Sequence, residues 1–165
     1  MNIGSFKRCV KITGGVKMAS SVHSVEVKTT EQALWSFLKE KGDWAVLMPG
    51  YLHHEFESND EMIWVFKGDF GIVQKAVKLK LTVSNIEVNR KIAFDLEGLS
   101  DNINGSGYFI MEPVSEDTYK LTGNLVMSAG GFLAGMINPV LEKFVPERVE
   151  QLVNSIGKSV LKETV

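Results

Sequence analysis

The last fifth of the chain, residues 128–165, constrains the fold most, because its apolar residues fall at helical spacing after a long run of strand-like segments. Its first half has an apolar stripe at i, i+3, i+4, i+7, i+8 and i+11, formed by Leu133, Met136, Ile137, Val140, Leu141 and Phe144. Its second half has a similar stripe, formed by Val149, Leu152, Val153, Ile156 and Val160. We therefore predict that a long amphipathic helix ends the chain.

Two prolines interrupt this predicted helix. Pro146 fits the first position of a renewed helix, because its missing N–H leaves no hydrogen bond unmade there. Pro139 removes the bond to the carbonyl of Gly135, and an interior proline costs about 3 kcal/mol unless the helix bends or breaks. We therefore expect two helical parts that together curve over a sheet.

The region before the strands has helix signals. Residues 21–28 alternate apolar and polar side chains, which predicts a first strand. Thr29 is expected to cap the next helix, with Gln32 completing a capping box. The buried face of that helix is expected to consist of Leu34, Phe37 and Leu38. Asp43 is predicted to cap a second short helix, which ends at Pro49 and Gly50.

After residue 50 the hydrophobic period changes to two, as in β-strands. Six strand-like segments follow, at residues 51–57, 62–67, 74–88, 91–97, 105–112 and 118–127. Short turns separate them, so neighbouring strands are expected to pair antiparallel. One face of the sheet is apolar and needs a cover, which the terminal helix can supply. The predicted fold is α+β, with a curved antiparallel sheet of about seven strands and the long helix over its concave face.

Composition indicates one globular domain. Hydrophobic residues make up 44% of the chain and charged residues 23%, and no run of about 18 apolar residues suggests a membrane span. We interpret residues 1–20 as a flexible N-terminal extension, with an added edge strand as the alternative, and residues 21–165 as a single domain. The net charge of the chain is −2, although residues 1–17 alone carry +4. The rest of the chain is therefore acidic. An acidic body argues against nucleic acid as a partner.

The cysteine content and the N-terminal sequence indicate the cellular compartment in which the protein is expected. The single cysteine, Cys9, cannot form an internal disulfide, and no apolar signal-peptide core precedes the domain. We therefore expect a cytoplasmic protein.

The predicted element order resembles the helix-grip fold of START-like (SRPBCC) ligand-binding proteins. Residues 34–38, Leu-Trp-Ser-Phe-Leu, resemble the Val-Trp-x-x-Leu helix of one branch, the CoxG-like proteins, which are named for a component of carbon monoxide dehydrogenase. Residues 47–50, Leu-Met-Pro-Gly, resemble its Leu-Pro-Gly stop, and residues 105–107, Gly-Ser-Gly, resemble its glycine-containing strand start. The resemblance covers about residues 21–161, and none of these motifs is catalytic.

The resemblance implies a hydrophobic cavity between the sheet and the terminal helix. We expect no cofactor. In some members it also implies a link to membranes and to a molybdenum-containing dehydrogenase. Some members carry an apolar C-terminal tail for membrane attachment. This sequence ends at Val165 without such a tail, so direct anchoring is not expected.

The paired histidines are candidate metal ligands by residue type. His53 and His54 are neighbours in a predicted strand, so their side chains point to opposite faces and do not easily share an ion. No metal site is therefore expected. His54 shares the parity of Leu52 and Phe56 and is expected to face the cavity. There it would either bind the polar head of a ligand or be satisfied by backbone groups.

Acid-base or nucleophilic catalysis has little support. Glu55, Asp95 and Glu97 fall on the face opposite the apolar side chains, so they are predicted to be solvated. No nucleophile stands near a plausible base, and no phosphate-binding loop motif occurs. The glycines near the last helix, Gly130, Gly131 and Gly135, are expected to allow close helix–sheet approach or to leave room for a ligand mouth.

The aromatic and methionine residues form either a plain core or the wall of a ligand cavity. We predict that the ligand-binding residues are Met48, Leu52, His54, Phe56, Trp64, Phe66, Phe94, Tyr108, Met127, Phe132, Met136, Val140 and Phe144. The leading hypothesis is a non-enzymatic carrier or sensor of a lipid, quinone or isoprenoid. A second is a polyketide cyclase or dehydratase that uses His54 or Tyr108, and a third is an accessory protein of a dehydrogenase.

Overall fold

Eight strands and three helices make up the computed structural model, which describes residues 9–13, 16–70, 73–99 and 102–161. The strands are β1 Cys9–Thr13, β2 Val16–Lys28, β3 Tyr51–Phe56, β4 Glu61–Phe70, β5 Val73–Glu87, β6 Lys91–Gly98, β7 Ile103–Ser115 and β8 Thr118–Ala129. The helices are α1 Glu31–Lys39, α2 Lys41–Ala45 and α3 Ala134–Ser159. The α+β fold with a curved antiparallel sheet and a long terminal helix is confirmed.

All eight strands belong to one sheet, in the order β1-β2-β8-β7-β6-β5-β4-β3. Strands β3 to β8 form the predicted meander, in which each strand pairs antiparallel with the next in sequence. Strand β2 pairs with β8, so the chain's first long strand lies beside its last. This pairing places α3, which follows β8, directly against β2 and β8.

The predicted alternation of the sheet faces is confirmed. Buried side chains of β5 and β6 lie on the concave face, and they are Val77, Leu79, Leu81, Ile92, Phe94 and Leu96. Asp95 and Glu97 lie between them in sequence and are exposed, as the period of two requires. Glu55 is exposed as well. The three predicted solvated carboxylates are therefore in solvent.

An additional edge strand precedes the predicted first strand. Strand β1 pairs antiparallel with the start of β2, with Cys9 opposite Ser20 and Thr13 opposite Val16. This is the alternative that the sequence left open for residues 9–13 and 16–20. The remainder of the predicted extension, residues 1–8 and 14–15, lies outside the described residues.

Both predicted helix caps differ in the structure. Thr30, not Thr29, caps α1, and its hydroxyl accepts a hydrogen bond from the Ala33 N–H at 3.0 Å. Thr29 is instead held by the turn between β7 and β8, because its N–H donates to the Asp117 carbonyl at 2.9 Å. Asp43 lies in the first turn of α2 and caps nothing, since Glu40 occupies the N-cap position.

Helix α2 is short, but it carries the residue at the centre of the core. Trp44 is fully buried, and its indole N–H donates to the Leu38 carbonyl at 2.9 Å. Trp64 of β4 donates to the Ala45 carbonyl at 3.1 Å. The first bond ties α2 to α1 and the second ties α2 to the concave face, and both satisfy buried N–H groups that need partners.

The terminal helix is one continuous element, so the predicted renewal at Pro146 is wrong. Both Pro139 and Pro146 lie inside α3. Helix α3 begins at Ala134, three residues after Gly131, whose φ of 75° does not fit an α-helix. Packing on the sheet offsets the lost backbone bonds, since the residues around Pro146 are largely buried.

Helix α3 approaches the sheet most closely along its second half. A Cβ built on Gly123 of β8 would lie 2.4 Å from Val153 Cγ2. A Cβ on Gly157 would lie 3.1 Å from Val27 Cγ2. His23 of β2 also bonds Asn154, with 3.1 Å between Nε2 and Oδ1. The helix and sheet are therefore in direct contact here, with no layer between them.

Candidate functional site

A small cavity lies between the concave face and α3, and we call it the inner cavity. It is lined by Met48, Trp64, Phe94, Phe109, Gly123, Asn124, Leu125, Arg148, Val149, Leu152 and Val153. The centre of a water-sized sphere can occupy about 20 Å³ of it. That is room for about one water molecule, whereas ligand pockets typically measure roughly 300–1,000 Å³. In this conformation the inner cavity, as its described lining residues form it, is too small for any larger molecule.

Aromatic side chains fill the space that a ligand would need. The Trp44 ring lies 5.1 Å from Phe109, 5.6 Å from Phe94 and 5.7 Å from Trp64, measured between ring centroids. Each of these pairs has the stacked or edge-on geometry that aromatic rings prefer. A hydrophobic molecule could enter only if these rings or α3 moved.

The predicted ligand-binding residues divide into groups. Met48, Trp64 and Phe94 line the inner cavity. Phe66 and Phe144 are buried beside it and stack on each other with 6.3 Å between ring centroids. Met127 is also buried, on β8. The structure thus brings six of the predicted residues together on the concave side.

A second group lies at the β3 edge. Leu52 is 54% exposed because a β-bulge between Tyr51 and His53 takes it out of register. His54 faces inward as expected, but its Nδ1 lies 2.7 Å from the Tyr51 hydroxyl, and a Cβ on Gly42 of α2 would lie 3.1 Å from its Nε2. Phe56 is 51% exposed. None of the three lines the inner cavity.

Tyr108 lies on the convex face, away from the cavity. It pairs across the sheet with Ala93 and Asn124, while its neighbour Phe109 points inward. The ammonium group of Lys91 lies 5.2 Å from the centre of the Tyr108 ring. The expectation that Tyr108 helps to form the cavity wall is therefore not met, because the period of two turns it outward.

The last predicted group lies in the turn before α3 and in the first part of the helix. We call residues 131–137 the exposed segment and residues 138–157 the packed segment. Phe132 is 100% exposed and Met136 74% exposed. Val140 is half-buried at the start of the packed segment. From Met136 through Val140 and Phe144 to Arg148, residues four apart form one continuous stripe that ends at the inner cavity.

Sequence reasoning missed several cavity residues. Phe109, Leu125 and Arg148 are absent from the predicted set, and so is Trp44, whose ring fills the interior. The inward parity of β7 and β8 could have identified Phe109 and Leu125. Arg148 is separated by four residues from both Phe144 and Leu152, so helical spacing could have placed it at the edge of the apolar stripe.

The guanidinium of Arg148 has unusual surroundings for a charged group. Its Cζ lies 4.7 Å from the centre of the Phe144 ring. Its Nη1 donates to Gln151 Oε1 at 3.3 Å, while its Nε is buried without a hydrogen-bond partner. Among the described residues that line the inner cavity, Arg148 alone carries a charge.

A second, open groove lies on the other side of the packed segment. It measures about 290 Å³ by the same criterion, and it is lined by Val25, Glu26, Val27, Asn154, Gly157, Lys158 and Leu161. Its larger volume reflects its openness to solvent.

The resolved pKa shifts lie away from the inner cavity. A hydrogen bond and ion pair with Glu61 raise the pKa of Lys80. Hydrogen bonds from Thr118 and Ser115 lower the pKa of Asp117. Burial and the neighbouring Glu31 raise the pKa of Tyr119. In the described part of the chain, no cluster of three or more His, Cys, Asp or Glu side chains is arranged to hold a metal ion.

Comparison with known proteins identifies the family. Residues 24–161 match the CoxG family of carbon monoxide dehydrogenase subunits. The chain belongs to the CoxG family. No curated protein sequence is similar enough to count as a match. Of the helices that the described residues form, none combines the length and the hydrophobicity that crossing a membrane requires.

Solved structures share the fold of this CoxG-family chain at low sequence identity. A conserved protein from Geobacillus kaustophilus is 18% identical, with a TM-score of 0.71 over 86% of this chain and 94% of that one. The ZhuI aromatase/cyclase from Streptomyces sp. R1128 is 15% identical, with a TM-score of 0.68 over 87% and 93%. A START superfamily protein from Mycobacterium smegmatis is 16% identical, with a TM-score of 0.68 over 86% and 96%. The START-like fold is therefore shown.

Proposed function

We propose that this CoxG-family protein binds a hydrophobic small molecule, such as a lipid, quinone or isoprenoid, between its sheet and α3 without chemically changing it. A START-like fold is suited to ligand binding, and membership of the family supports this use of the fold. The molecule would occupy an enlarged inner cavity, with Met48, Trp64 and Phe94 in its wall.

One observation carries this proposal: the apolar stripe of α3 runs without a break from solvent into the inner cavity. Along it, Met136 is 74% exposed and Phe144 is 5% exposed. Twelve residues separate Met136 from Arg148 at the cavity, a distance of about 18 Å along a helix. A helix that serves only stability needs no uncovered apolar residues at its start, because apolar side chains stabilise a fold only where they are buried.

Opening of the cavity is part of the proposal. Pro139 has no N–H, so the Gly135 carbonyl receives no helical bond from it, and the exposed segment is joined to the rest of α3 by fewer bonds. Displacement of this segment would open a path along the stripe of α3. Rotation of Trp44, whose ring lies against Phe94 and Phe109 of the cavity wall, would enlarge the inner cavity.

The cyclase alternative has lost its specific support. It required His54 or Tyr108 beside a reacting carbon. Tyr108 is on the convex face, and His54 is engaged by Tyr51 at the sheet edge. The aromatase/cyclase among the similar structures shares the fold only.

The family description also supports a role beside a dehydrogenase. Because the family is named for a component of carbon monoxide dehydrogenase, we propose that the protein is an accessory factor to a molybdenum-containing dehydrogenase. Affinity purification of the tagged chain from its own host tests this role. Recovery of the dehydrogenase polypeptides supports it, and their absence from a preparation that contains active dehydrogenase contradicts it.

Native mass spectrometry tests the binding proposal. The wild-type protein, incubated with a lipid extract that contains quinones, fatty acids and isoprenoid alcohols, should retain an apolar molecule. Val149→Phe places a ring in the inner cavity and should abolish retention, because Val149 lines that space. Val88→Phe is the matched control, since Val88 is 73% exposed. Retention by none of the three proteins, or equal retention by all three, contradicts the proposal.

A further inference from the structure

The surroundings of Arg148 indicate the chemical class of the bound molecule. This arginine lies in the packed segment and faces a cavity whose other described lining residues are uncharged. Arg148 is half-buried, and its Nε is fully buried. A charged group that is partly buried against an apolar cavity usually has a carboxylate partner, because removing even part of it from water is costly. In the part of the chain that the structure describes, no carboxylate forms an ion pair with Arg148.

The partners that Arg148 does have leave one side of its guanidinium free. Gln151 accepts from Nη1 at 3.3 Å, and the ring of Phe144 covers the guanidinium face at 4.7 Å. The Nε edge is buried and has no acceptor. An unpaired buried N–H of a cation is a costly feature that a ligand oxygen would relieve.

The shape of the free edge selects the ligand group. A guanidinium presents parallel N–H donors, and a carboxylate has two oxygens at matching spacing. The cation–π contact with Phe144 holds the guanidinium in place, so the two-point contact would need less further ordering. A neutral ester or alcohol offers no matching negative charge.

We propose that the hydrophobic molecule bound by this protein is an acid, with its carboxylate on the Nε edge of Arg148 and its apolar body among Trp64, Phe94 and Leu152. This inference rests on the proposed function, since it requires the inner cavity to open. It adds a charged anchor at one end of an otherwise apolar site. The ligand class is therefore that of long-chain fatty acids and similar apolar carboxylic acids.

The test uses cis-parinaric acid, a fluorescent long-chain fatty acid, and its methyl ester as probes of the full chain. Wild type should bind the acid at least about tenfold more tightly than the ester, as expected for one charge-assisted hydrogen-bonded pair. Arg148→Met should lose about tenfold in affinity for the acid and keep its affinity for the ester within about twofold.

Two variants control for charge and folding. Lys143→Met removes one positive charge from an exposed position of α3 and should leave both affinities unchanged. Arg148→Lys keeps the charge and most of the packing but has no two-point edge, so it should bind the acid with intermediate affinity. Circular dichroism and the melting temperature establish that each variant is folded. If Arg148→Met does not fold, Arg148→Lys decides, and unchanged acid affinity in it overturns the inference.

Equal binding of acid and ester by wild type, or an equal loss of both in Arg148→Met, overturns the inference but not the proposed function. If native mass spectra show other apolar molecules retained while neither parinaric probe binds, the inference is likewise overturned and the proposed function is not. If no apolar molecule of any kind is bound, the inference and the proposed function both fail.

Discussion

The exposed segment covers the turn before α3 and the first four residues of the helix. It has an apolar content similar to that of the packed segment, yet the two differ in what they contact. In the exposed segment, Phe132 is in full solvent, and a Cβ on Gly135 would meet no atom within 4 Å. In the packed segment, Phe144 is 5% exposed, and a Cβ on Gly157 would crowd Val27. Apolar periodicity alone therefore does not say which turns of a helix are buried.

The two segments therefore contribute differently to the stability of the protein. The packed segment contributes stability through close contact with β2 and β8. The exposed segment contributes little to the core, so it can move at small cost, as mobile parts of binding proteins do. The inner cavity lies beneath the packed segment, not beneath the start of α3, where the sequence pattern led us to expect it.

The largest expected contrast is between two identical substitutions, one in the packed segment of α3 and one in the turn that precedes the helix. Phe144→Ala should lower the free energy of unfolding by about 3–5 kcal/mol, because it leaves a space against Phe66 and removes buried surface. Phe132→Ala should change it by no more than about 0.5 kcal/mol. Urea unfolding followed by tryptophan fluorescence measures both.

A large loss of stability in Phe132→Ala would show that the exposed segment is covered by something in solution, and the two-segment description would then fail. A small effect of Phe144→Ala would mean that the core beside the inner cavity collapses freely around the removed ring.

The sequence predicted the sheet better than the site, for physical reasons. Alternation in β5 and β6 reports directly which side chains face inward, because a strand has a period of two. The predicted inward orientation of Leu52 does not hold, because a bulge shifts the register locally and a shift of one residue moves a side chain to the other face. Such a bulge has no signal in the alternation of a six-residue strand.

Trp44 and Arg148 show what periodicity cannot supply. Helix α2 has five residues, too few for a hydrophobic period, so the burial of Trp44 depends on how α2 docks on the sheet. Arg148 lies at the edge of its helical stripe, where exposure depends on the neighbouring element. The burial of both side chains is therefore set by tertiary packing.

The junction between the segments can be tested at Asn138. Its side chain accepts from the Ala129 N–H at 2.8 Å and donates to the Ala129 carbonyl at 2.9 Å, and it is only 8% exposed. Asn138→Ala leaves both backbone groups unpaired and should cost about 2–3 kcal/mol. Asn104→Ala, at an exposed position of β7, is the control and should be near neutral.

If Asn138→Ala is also near neutral, the start of the packed segment is held by other contacts. Hydrogen exchange then shows where the boundary lies. We expect faster exchange in residues 134–141 of Asn138→Ala than in wild type, with the amides of residues 149–157 unchanged.

The smallest effect comes from the helix glycines, and it separates the segments most cleanly because the chemistry is the same. Gly135→Ala should stabilise the protein by up to about 1 kcal/mol, since the new methyl group meets open space and alanine favours the helix. Gly157→Ala makes the same gain, but its methyl group would lie 3.1 Å from Val27 Cγ2 and 3.2 Å from Val25 Cγ2. Crowding of a well-packed contact costs roughly 1–3 kcal/mol, so the net effect should be a loss of about 1 kcal/mol. Opposite signs in paired urea titrations support a loose start and a tightly packed end of α3. Stabilisation by both substitutions would mean that β2 yields to the helix, and the contrast between the segments would then be one of exposure alone.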